Sequence, residues 1–231
     1  PSMNGNIQDF MRLDPRVTFV DRASGSISAG GTNPRFNKIT IDGVSASDTF
    51  GLEGNNMPTL RQPVSMEAIE ALDVSLSNYD VTISGAAGAN VNAVTKSGTN
   101  EFHGSLYGYM RDGDWFGDNP ITGAPFAEFT DEKTYGFTFG GPIVKDKLFF
   151  FVNYEKYKRG KPAPDLSSSP LIAGGDFDAA DLALVQEIFA GKGVETGGIE
   201  GNGDTELEEY AVKLDWNITD NHRASFRYSN L

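Results

Sequence analysis

Four segments in the second half of the chain alternate between apolar and polar residues, and this period-two pattern most constrains the fold. In residues 134–140, the aromatic residues Tyr135, Phe137 and Phe139 share one face, and small or polar residues share the other. The other three segments are residues 148–158, 209–216 and 224–229, and residues 102–111 alternate less cleanly. Such alternation predicts β-strands that each have one apolar and one polar face.

The connections between these strands alternate between short and long. Lys145-Asp146 and residues 219–221 are short turns, whereas residues 112–133 and 159–206 are long loops. This asymmetry is typical of outer-membrane barrels, which have short turns on the periplasmic side and long loops outside. A soluble β-sandwich would also alternate, because one face of each sheet is buried. The aromatic residues concentrated on one face favour contact with lipid, and therefore the barrel.

The first 98 residues have a different pattern, with short segments and mixed periodicity. Residues 37–42 predict a strand that ends in the Asp42-Gly43 turn, and residues 73–79 and 91–95 predict two more. Ser65 is expected to cap a helix that carries Met66, Ile69 and Leu72 on one side. We therefore predict a small α+β domain with two or more helices over residues 1–98, and antiparallel barrel strands over residues 99–231.

Charge and composition exclude several classes of function. The formal net charge of −13 argues against a nucleic-acid partner, because phosphate binding needs clustered Lys and Arg. The chain has no cysteine, and its two histidines, His103 and His222, lie far apart at predicted strand ends. No set of residues suits nucleophilic or acid–base catalysis, so we expect a protein that is not an enzyme.

Three stretches of the first 104 residues resemble the plug domain of TonB-dependent outer-membrane receptors, particularly the Oar-like group. They are residues 33–44 with the Ile41-Asp42-Gly43 turn, residues 66–74, and residues 85–104. Residues 140–151, which begin Gly140-Gly141-Pro142, resemble the second hairpin of the barrel in the same family. The resemblance implies a 22-stranded barrel with a plugged lumen in the outer membrane of a Gram-negative bacterium.

This chain supplies only about five strands of such a barrel. Five strands cannot close, and an open edge would leave backbone groups unpaired in hydrocarbon. We therefore expect the chain to be part of a longer protein whose TonB-binding segment lies N-terminal to Pro1.

By resemblance, the protein takes up a ligand, or more rarely exports one, when TonB pulls on the chain and the plug rearranges. The implied partners are TonB, outer-membrane lipid and lipopolysaccharide, and a ligand whose class the sequence leaves open. The plug turns at residues 30–36 and 80–89 would face the ligand, with the contact residues Asn33, Arg35, Phe36 and Asp80. Arg35 could equally form a salt bridge between plug and barrel. The alternative function is that of a non-transporting surface protein, an adhesin or a structural barrel.

Alternation also assigns polar side chains to the inside of the barrel, where they would meet the plug through hydrated contacts. These lumen-facing candidates are Arg111, Asn153, Glu155, Lys213, Asp215 and Arg227.

Two features of the predicted outer loops remain. Asp112, Asp114 and Asp118 loosely resemble a Ca²⁺ loop, so a structural Ca²⁺ is a candidate cofactor. Phe116 occupies the third ligand position, and a solvated acidic loop is the alternative. In the second loop, residues 178–190 predict a helix that Asp178 caps and Gly191 ends.

Overall fold

The computed structural model describes residues 6–11, 13–21, 24–59, 61–76, 87–123, 129–161, 174–175, 178–194 and 203–231. Its elements, in chain order, are α1 (Ile7–Met11), β1 (Val17–Asp21), β2 (Ser26–Ala29), β3 (Lys38–Ile41), β4 (Val44–Ser45), β5 (Ile69–Ser75), β6 (Asn90–Thr95), β7 (His103–Asp112), β8 (Asp131–Val144), β9 (Leu148–Arg159), α2 (Ala179–Ala190), β10 (Thr205–Thr219) and β11 (His222–Asn230). Short 3₁₀ helices occupy Pro34–Phe36, Met66–Ala68 and Gly113–Trp115.

Residues 6–97, the N-terminal region, contain a mixed four-stranded sheet and a separate hairpin. The sheet order is β4-β3-β6-β5, in which β3 and β6 are parallel and the other neighbours are antiparallel. The hairpin pairs β1 with β2. Ile41, Val91 and Ala93 are fully or almost fully buried in one apolar cluster, which α1 joins through Ile7 and Met11. The two central strands therefore build the core of this region.

The helix predicted after Ser65 is wrong. Ser65 does cap a turn, since its side chain accepts a hydrogen bond from the Glu67 N–H, but the turn is a 3₁₀ helix of three residues. Strand β5 follows at once, earlier than predicted. Its pairing with β6 shifts register between Ile69 and Ala71, which marks a β-bulge. The extra residue in the bulge places two residues that are three apart, Ile69 and Leu72, on the same face of the strand, where both pack against the core. Their spacing, which resembles that of a helix, therefore comes from the bulge.

The region also has fewer helices than predicted. Within its described residues, α1 is the one α-helix, and it is five residues long. No helix in the part of the chain that the structure describes is long and apolar enough to cross a membrane.

Strands β7 to β11 form a five-stranded sheet in the order β11-β10-β9-β8-β7, which we call the strand wall. The four cleanly alternating segments each lie within one of these strands, and residues 102–111 overlap β7 except at Phe102, so the prediction of about five strands is confirmed. The short turns fall at residues 145–147 and 220–221. The strands extend further than predicted, which shortens the long connections to residues 113–130 and 160–204.

The strand wall is inverted relative to a sheet in a water-soluble protein. In β8, the small or polar residues Thr134, Gly136 and Thr138 are buried, whereas Phe137 and Phe139 are each 42% exposed. A sandwich would bury the aromatic face and leave the polar face in water. A barrel wall does the opposite, because its outer face meets lipid and its inner face meets polar contents.

Contacts between Cα atoms divide the chain into two compact units. One comprises residues 1–107, 135–156 and 208–231, and contains the N-terminal region together with the strand segments next to the short turns. The other comprises residues 108–134 and 157–207, and contains the two long connections with the strand segments next to them. The predicted boundary after residue 98, where the mixed sheet gives way to the strand wall, stays a prediction.

Candidate functional site

The turn after β3 presents a carboxylate to the strand wall. Asp42 and Gly43 adopt left-handed backbone conformations, with φ of 50° and 82°, which Asp and Gly tolerate best. The Asp42 carboxylate accepts hydrogen bonds from the Thr95 N–H at 2.8 Å and the Thr95 hydroxyl at 2.6 Å. Lys213 Nζ lies 3.9 Å from it and Arg227 Nη1 lies 3.4 Å from it. Lys213 also donates to the Thr95 carbonyl at 3.2 Å.

One carboxylate of the N-terminal region thus faces two cations of the wall. Lys213 comes from β10 and Arg227 from β11, and the two residues are cross-strand partners. Their side chains are only 11% and 17% exposed, and that of Asp42 is 20% exposed. At such partly buried positions, the attraction between opposite charges is stronger than at an open surface. We call this group the Asp42 cluster.

A second buried polar group joins the segment before β5 to the wall. Glu155 Oε2 accepts from the Ser65 hydroxyl at 2.8 Å and from the Tyr107 hydroxyl at 2.9 Å. The two hydroxyl oxygens are 2.6 Å apart, and Arg61 Nη1 lies 3.7 Å from Glu155 Oε1. Ser65 is completely buried and Arg61 is 8% exposed. This Glu155 cluster holds together residues from β7, β9 and the N-terminal region.

Tyr107, Ser65 and Arg61 were not predicted as site residues. Tyr107 lies in the segment whose alternation was least clean, and only the folded chain brings it beside Glu155. Glu209, also missed, is buried in β10 and accepts a hydrogen bond from Asn153 Nδ2 of β9 at 2.8 Å. The signal that could have found Glu209 is its place on the same alternating face as Ala211 and Lys213.

The six lumen-facing candidates fall into two groups. Glu155, Lys213 and Arg227 contact the N-terminal region, as described above. The other three bond within the strands: Asn153 to Glu209, Asp215 to the Ser225 hydroxyl at 2.7 Å, and Arg111 to Glu132 of β8. The Arg111 guanidinium also lies 5.1 Å from the centre of the Phe129 ring.

Three of the four ligand-contact candidates, Asn33, Arg35 and Phe36, lie on an exposed turn. Asn33 caps the 3₁₀ helix Pro34–Phe36 by accepting from the Arg35 N–H at 3.0 Å, and Phe36 is 54% exposed. Among the described residues, no carboxylate lies within ion-pair distance of Arg35. Asp80 lies outside the described residues. The assignment of these four residues to a ligand stays a prediction.

A loop after β4 has an organisation that the sequence analysis missed. The Asp48 carboxylate accepts hydrogen bonds from the N–H groups of Phe50, Leu52 and Glu53 at 2.5–2.9 Å. The Glu53 and Phe50 bonds hold the pKa of the Asp48 carboxyl below its usual range. The loop therefore keeps one shape while Phe50 and Leu52 stay 83% and 79% exposed. The signal was an Asp shortly before a Gly, which is typical of a side-chain-stabilised turn.

The three Ca²⁺ candidates do not converge on one point. The Asp112 carboxylate accepts from the Asp114 N–H at 3.0 Å and so caps the 3₁₀ helix Gly113–Trp115. Across the described ranges, no three acidic, histidine or cysteine side chains gather into a metal-binding group. A structural Ca²⁺ on these loops stays a prediction.

A cavity of about 390 Å³ lies between the N-terminal region and β7 to β9. Its lining is mixed, with Glu67, Glu70 and Lys96 on one side and Ser105, Thr138 and Phe151 on the other. The two parts are therefore not close-packed along this stretch.

Comparison with known proteins relates both parts of the chain to one class of protein. The family model for an outer membrane beta barrel domain matches residues 94–203. The TonB-dependent transporter Oar of Myxococcus xanthus is 28% identical over 241 residues, which cover 96% of this chain and 21% of Oar. This chain thus spans about a fifth of the length of that relative.

Solved structures show the same fold. The siderophore receptor PirA of Acinetobacter baumannii matches 97% of this chain with a TM-score of 0.63 and 23% identity, over 29% of its own length. The ferric enterobactin receptor PfeA of Pseudomonas aeruginosa matches 99% with a TM-score of 0.63 and 19% identity, over 30% of its own length. These relatives are receptors and a transporter rather than enzymes. The predicted resemblance is confirmed: the chain is similar to the TonB-dependent outer-membrane receptors over almost its whole length, has the fold of part of such a receptor, and lies in the outer membrane of a Gram-negative bacterium.

Proposed function

We propose that this chain is the plug and first wall segment of an energised transporter, in which TonB pulls on the chain N-terminal to the plug. The N-terminal region acts as the plug and rearranges to open a path for the ligand. The observation that carries this proposal is the polar character of the contacts between the N-terminal region and the strand wall, seen in the Asp42 and Glu155 clusters.

Polar contacts of this kind suit an interface that must part and close again. When the two surfaces separate, water can replace each hydrogen bond, so the net cost is about 0.5–1.5 kcal/mol for a bond between neutral groups and roughly 1.5–3 kcal/mol for a bond to a carboxylate. The N-terminal region has its own apolar core in Ile41, Val91 and Ala93, which separation from the wall leaves intact. Phe151 of β9 is an apolar exception, since it packs against that core. The interface can therefore yield locally without unfolding the wall.

The cavity of about 390 Å³ supports the same function. Close-packed interiors resist displacement, because any movement creates clashes or voids. Here the residues Glu67 and Glu70 face open space beside the wall instead of packed side chains. The N-terminal region can move into this space at little steric cost.

A cysteine placed in the Glu155 cluster tests the proposal without knowledge of the ligand. The chain has no cysteine, and Ser65 is completely buried between the N-terminal region and the wall. In growing cells that make the full-length receptor, a small maleimide should label the Ser65→Cys variant much faster when TonB is present than when it is deleted. The Phe50→Cys variant, at an 83% exposed position, is the control that should react equally in both strains.

Equal labelling of Ser65→Cys with and without TonB would reject energised rearrangement. That result would instead favour the alternative, a non-transporting surface protein whose plug stays in place.

A further inference from the structure

Residues 98–102, which we call the linker, connect β6 to β7 and lie tightly against the wall. At Gly98, an added Cβ atom would lie 2.7 Å from the Gly141 carbonyl oxygen and 2.9 Å from the Phe150 nitrogen, with the Phe150 carbonyl closer still. The backbone of Gly98 therefore touches the backbones of β8 and β9, and no side chain fits between them. Gly140 of β8 lies next to this contact, since a Cβ added to it would lie at an ordinary contact distance of 3.6 Å from the Gly98 Cα.

The far end of the linker is held by an aromatic ring. The Phe102 ring is stacked on Phe139, with centroids 5.9 Å apart, and lies 6.4 Å from Phe150. It covers Gly141, where any Cβ would overlap the ring. The linker thus depends on two glycines: Gly98 lets its backbone approach β8 and β9, and Gly141 of β8 leaves space for the Phe102 ring.

Between these points, Asn100 is bonded twice to the short turn that joins β8 to β9. Its Nδ2 donates to Asp146 Oδ1 at 2.6 Å, and its Oδ1 accepts from the Asp146 N–H at 2.8 Å. Asp146 has a left-handed φ of 63°, and Asn217 of β10 donates to its carbonyl at 3.1 Å. Asn217 also donates its backbone N–H to the Lys147 carbonyl at 2.7 Å. The linker is therefore fixed to β8, β9 and the turn between them, and β10 holds that turn in place.

The chain just before the linker is bonded to the N-terminal region instead of to the wall. The Lys96 N–H donates to the Ala68 carbonyl at 2.8 Å, and Lys96 Nζ donates to the Glu67 carbonyl at 2.7 Å. Both partners belong to the N-terminal region. Ser97, the next residue, lines the cavity between the N-terminal region and the wall. The chain therefore changes from partners in the N-terminal region to partners in the wall at a residue that lies beside this cavity.

We propose that the linker is a mechanical stop: traction on the N-terminal region can extend the chain up to residue 97, and the linker prevents the force from reaching β7. The proposal rests on the proposed function for its purpose, since a transporter that moves its plug must keep its wall closed. Backbone contact at Gly98, the paired hydrogen bonds of Asn100 and the stacked ring of Phe102 each resist displacement along the chain.

Pulling single molecules of the full-length receptor in a lipid bilayer tests this stop directly. A handle attached through Leu13→Cys, at a position 77% exposed, leaves about 85 residues before Gly98. Extended chain spans up to about 3.6 Å per residue, so extension of the N-terminal region should end near roughly 300 Å at a distinct force peak. In the double variant Asn100→Ala with Phe102→Ala, that peak should weaken, and the stop should move about five residues further, by roughly 18 Å, to the start of β7.

A matched double variant, Asn221→Ala with Phe226→Ala, makes the same chemical changes at the other short turn and at a ring of similar exposure. It should keep the wild-type stop. The single variant Asn100→Ala retains the stacked ring and should lower the peak force without moving the stop. An identical peak in the wild type and the linker double variant would overturn the proposal, as would wild-type extension that passes residue 98 without a peak.

This experiment applies force without TonB. A stop at Gly98 together with TonB-independent labelling of Ser65→Cys would therefore reject the proposed function and leave the stop standing.

Discussion

The Asp42 cluster gives the most quantitative prediction. Asp42→Asn removes one negative charge that faces Lys213 and Arg227, while asparagine still tolerates the left-handed φ of 50°. At 3.4 and 3.9 Å, each charge pair is worth about 1 kcal/mol in a water-like medium and roughly 4–5 kcal/mol at an effective dielectric constant of 20. Removal of one partner from a fully buried pair costs roughly 3–5 kcal/mol. Because these side chains are 11–20% exposed, we expect a loss of about 2–3 kcal/mol.

Hydrogen–deuterium exchange of the full-length receptor in lipid nanodiscs measures this loss. Amides of β3 and β6, which flank the cluster, should exchange roughly 30–150 times faster in Asp42→Asn, since 1.4 kcal/mol corresponds to a factor of ten. Amides of β8 and β9 should be unchanged, because the wall does not depend on this carboxylate.

Asp14→Asn is the matched control. Asp14 also bonds to an arginine, Arg16, but the pair is local and its guanidinium is 64% exposed. It should leave exchange in β3 and β6 unaltered. Exchange in β6 that rises less than about threefold in Asp42→Asn, or equally in Asp14→Asn, would refute the reasoning that charge holds this part of the interface.

Three further predictions follow from single positions. Val212→Lys places an ammonium on the exposed apolar face of β10 and should reduce the free energy of folding into lipid vesicles by roughly 2–4 kcal/mol. The control Ser225→Lys, beside Asp215, should fold as the wild type does. Equal folding of Val212→Lys and the wild type would mean that the face assignment is wrong. Gly98→Ala should lower the yield of assembled receptor, because the new methyl group would overlap the backbones of β8 and β9. The control Gly117→Ala has open space around it and should not change the yield. A normal yield for Gly98→Ala would contradict the close approach of the Gly98 backbone to the wall. The Asp181 and Ala180 N–H groups hold the pKa of Asp178 below its usual range, so helix α2 should lose order as the pH falls below about 4 and through that lowered pKa. Protection factors of the α2 amides that do not fall at low pH in the wild type, or that fall equally in Asp178→Ala, would argue against this cap.

Ala211 shows why the choice of control depends on the structure. By alternation it faces away from lipid, so alternation alone predicts that Ala211→Lys is tolerated unless the plug packs tightly there. Ala211 is only 6% exposed, so a lysine at this position has no space. Ser225 lies on the same face but is exposed and already bonds to Asp215, which makes it the better control.

The strand wall could be predicted from local residue patterns, because a strand has a period of two whatever surrounds it. Aromatic residues at alternate positions of β8 and charges at alternate positions of β10 were enough to assign strands, faces and short turns. The helix cap at Asp178 could also be predicted, because a cap depends on residues only three apart in the chain and therefore on local sequence.

The early start of β5, the two polar clusters and the linker contacts could not be predicted from the sequence and depend on the tertiary structure. Ile69 and Leu72 have a helical spacing, and only pairing with β6 shows that a bulge accounts for it. Glu155 and Ser65 are 90 residues apart, and Asp42 and Arg227 are 185 apart. No local pattern records which distant groups will meet, because that depends on the summed path of every intervening strand and turn. Gly98 likewise reads as an ordinary loop glycine until the backbones of β8 and β9 are placed against it.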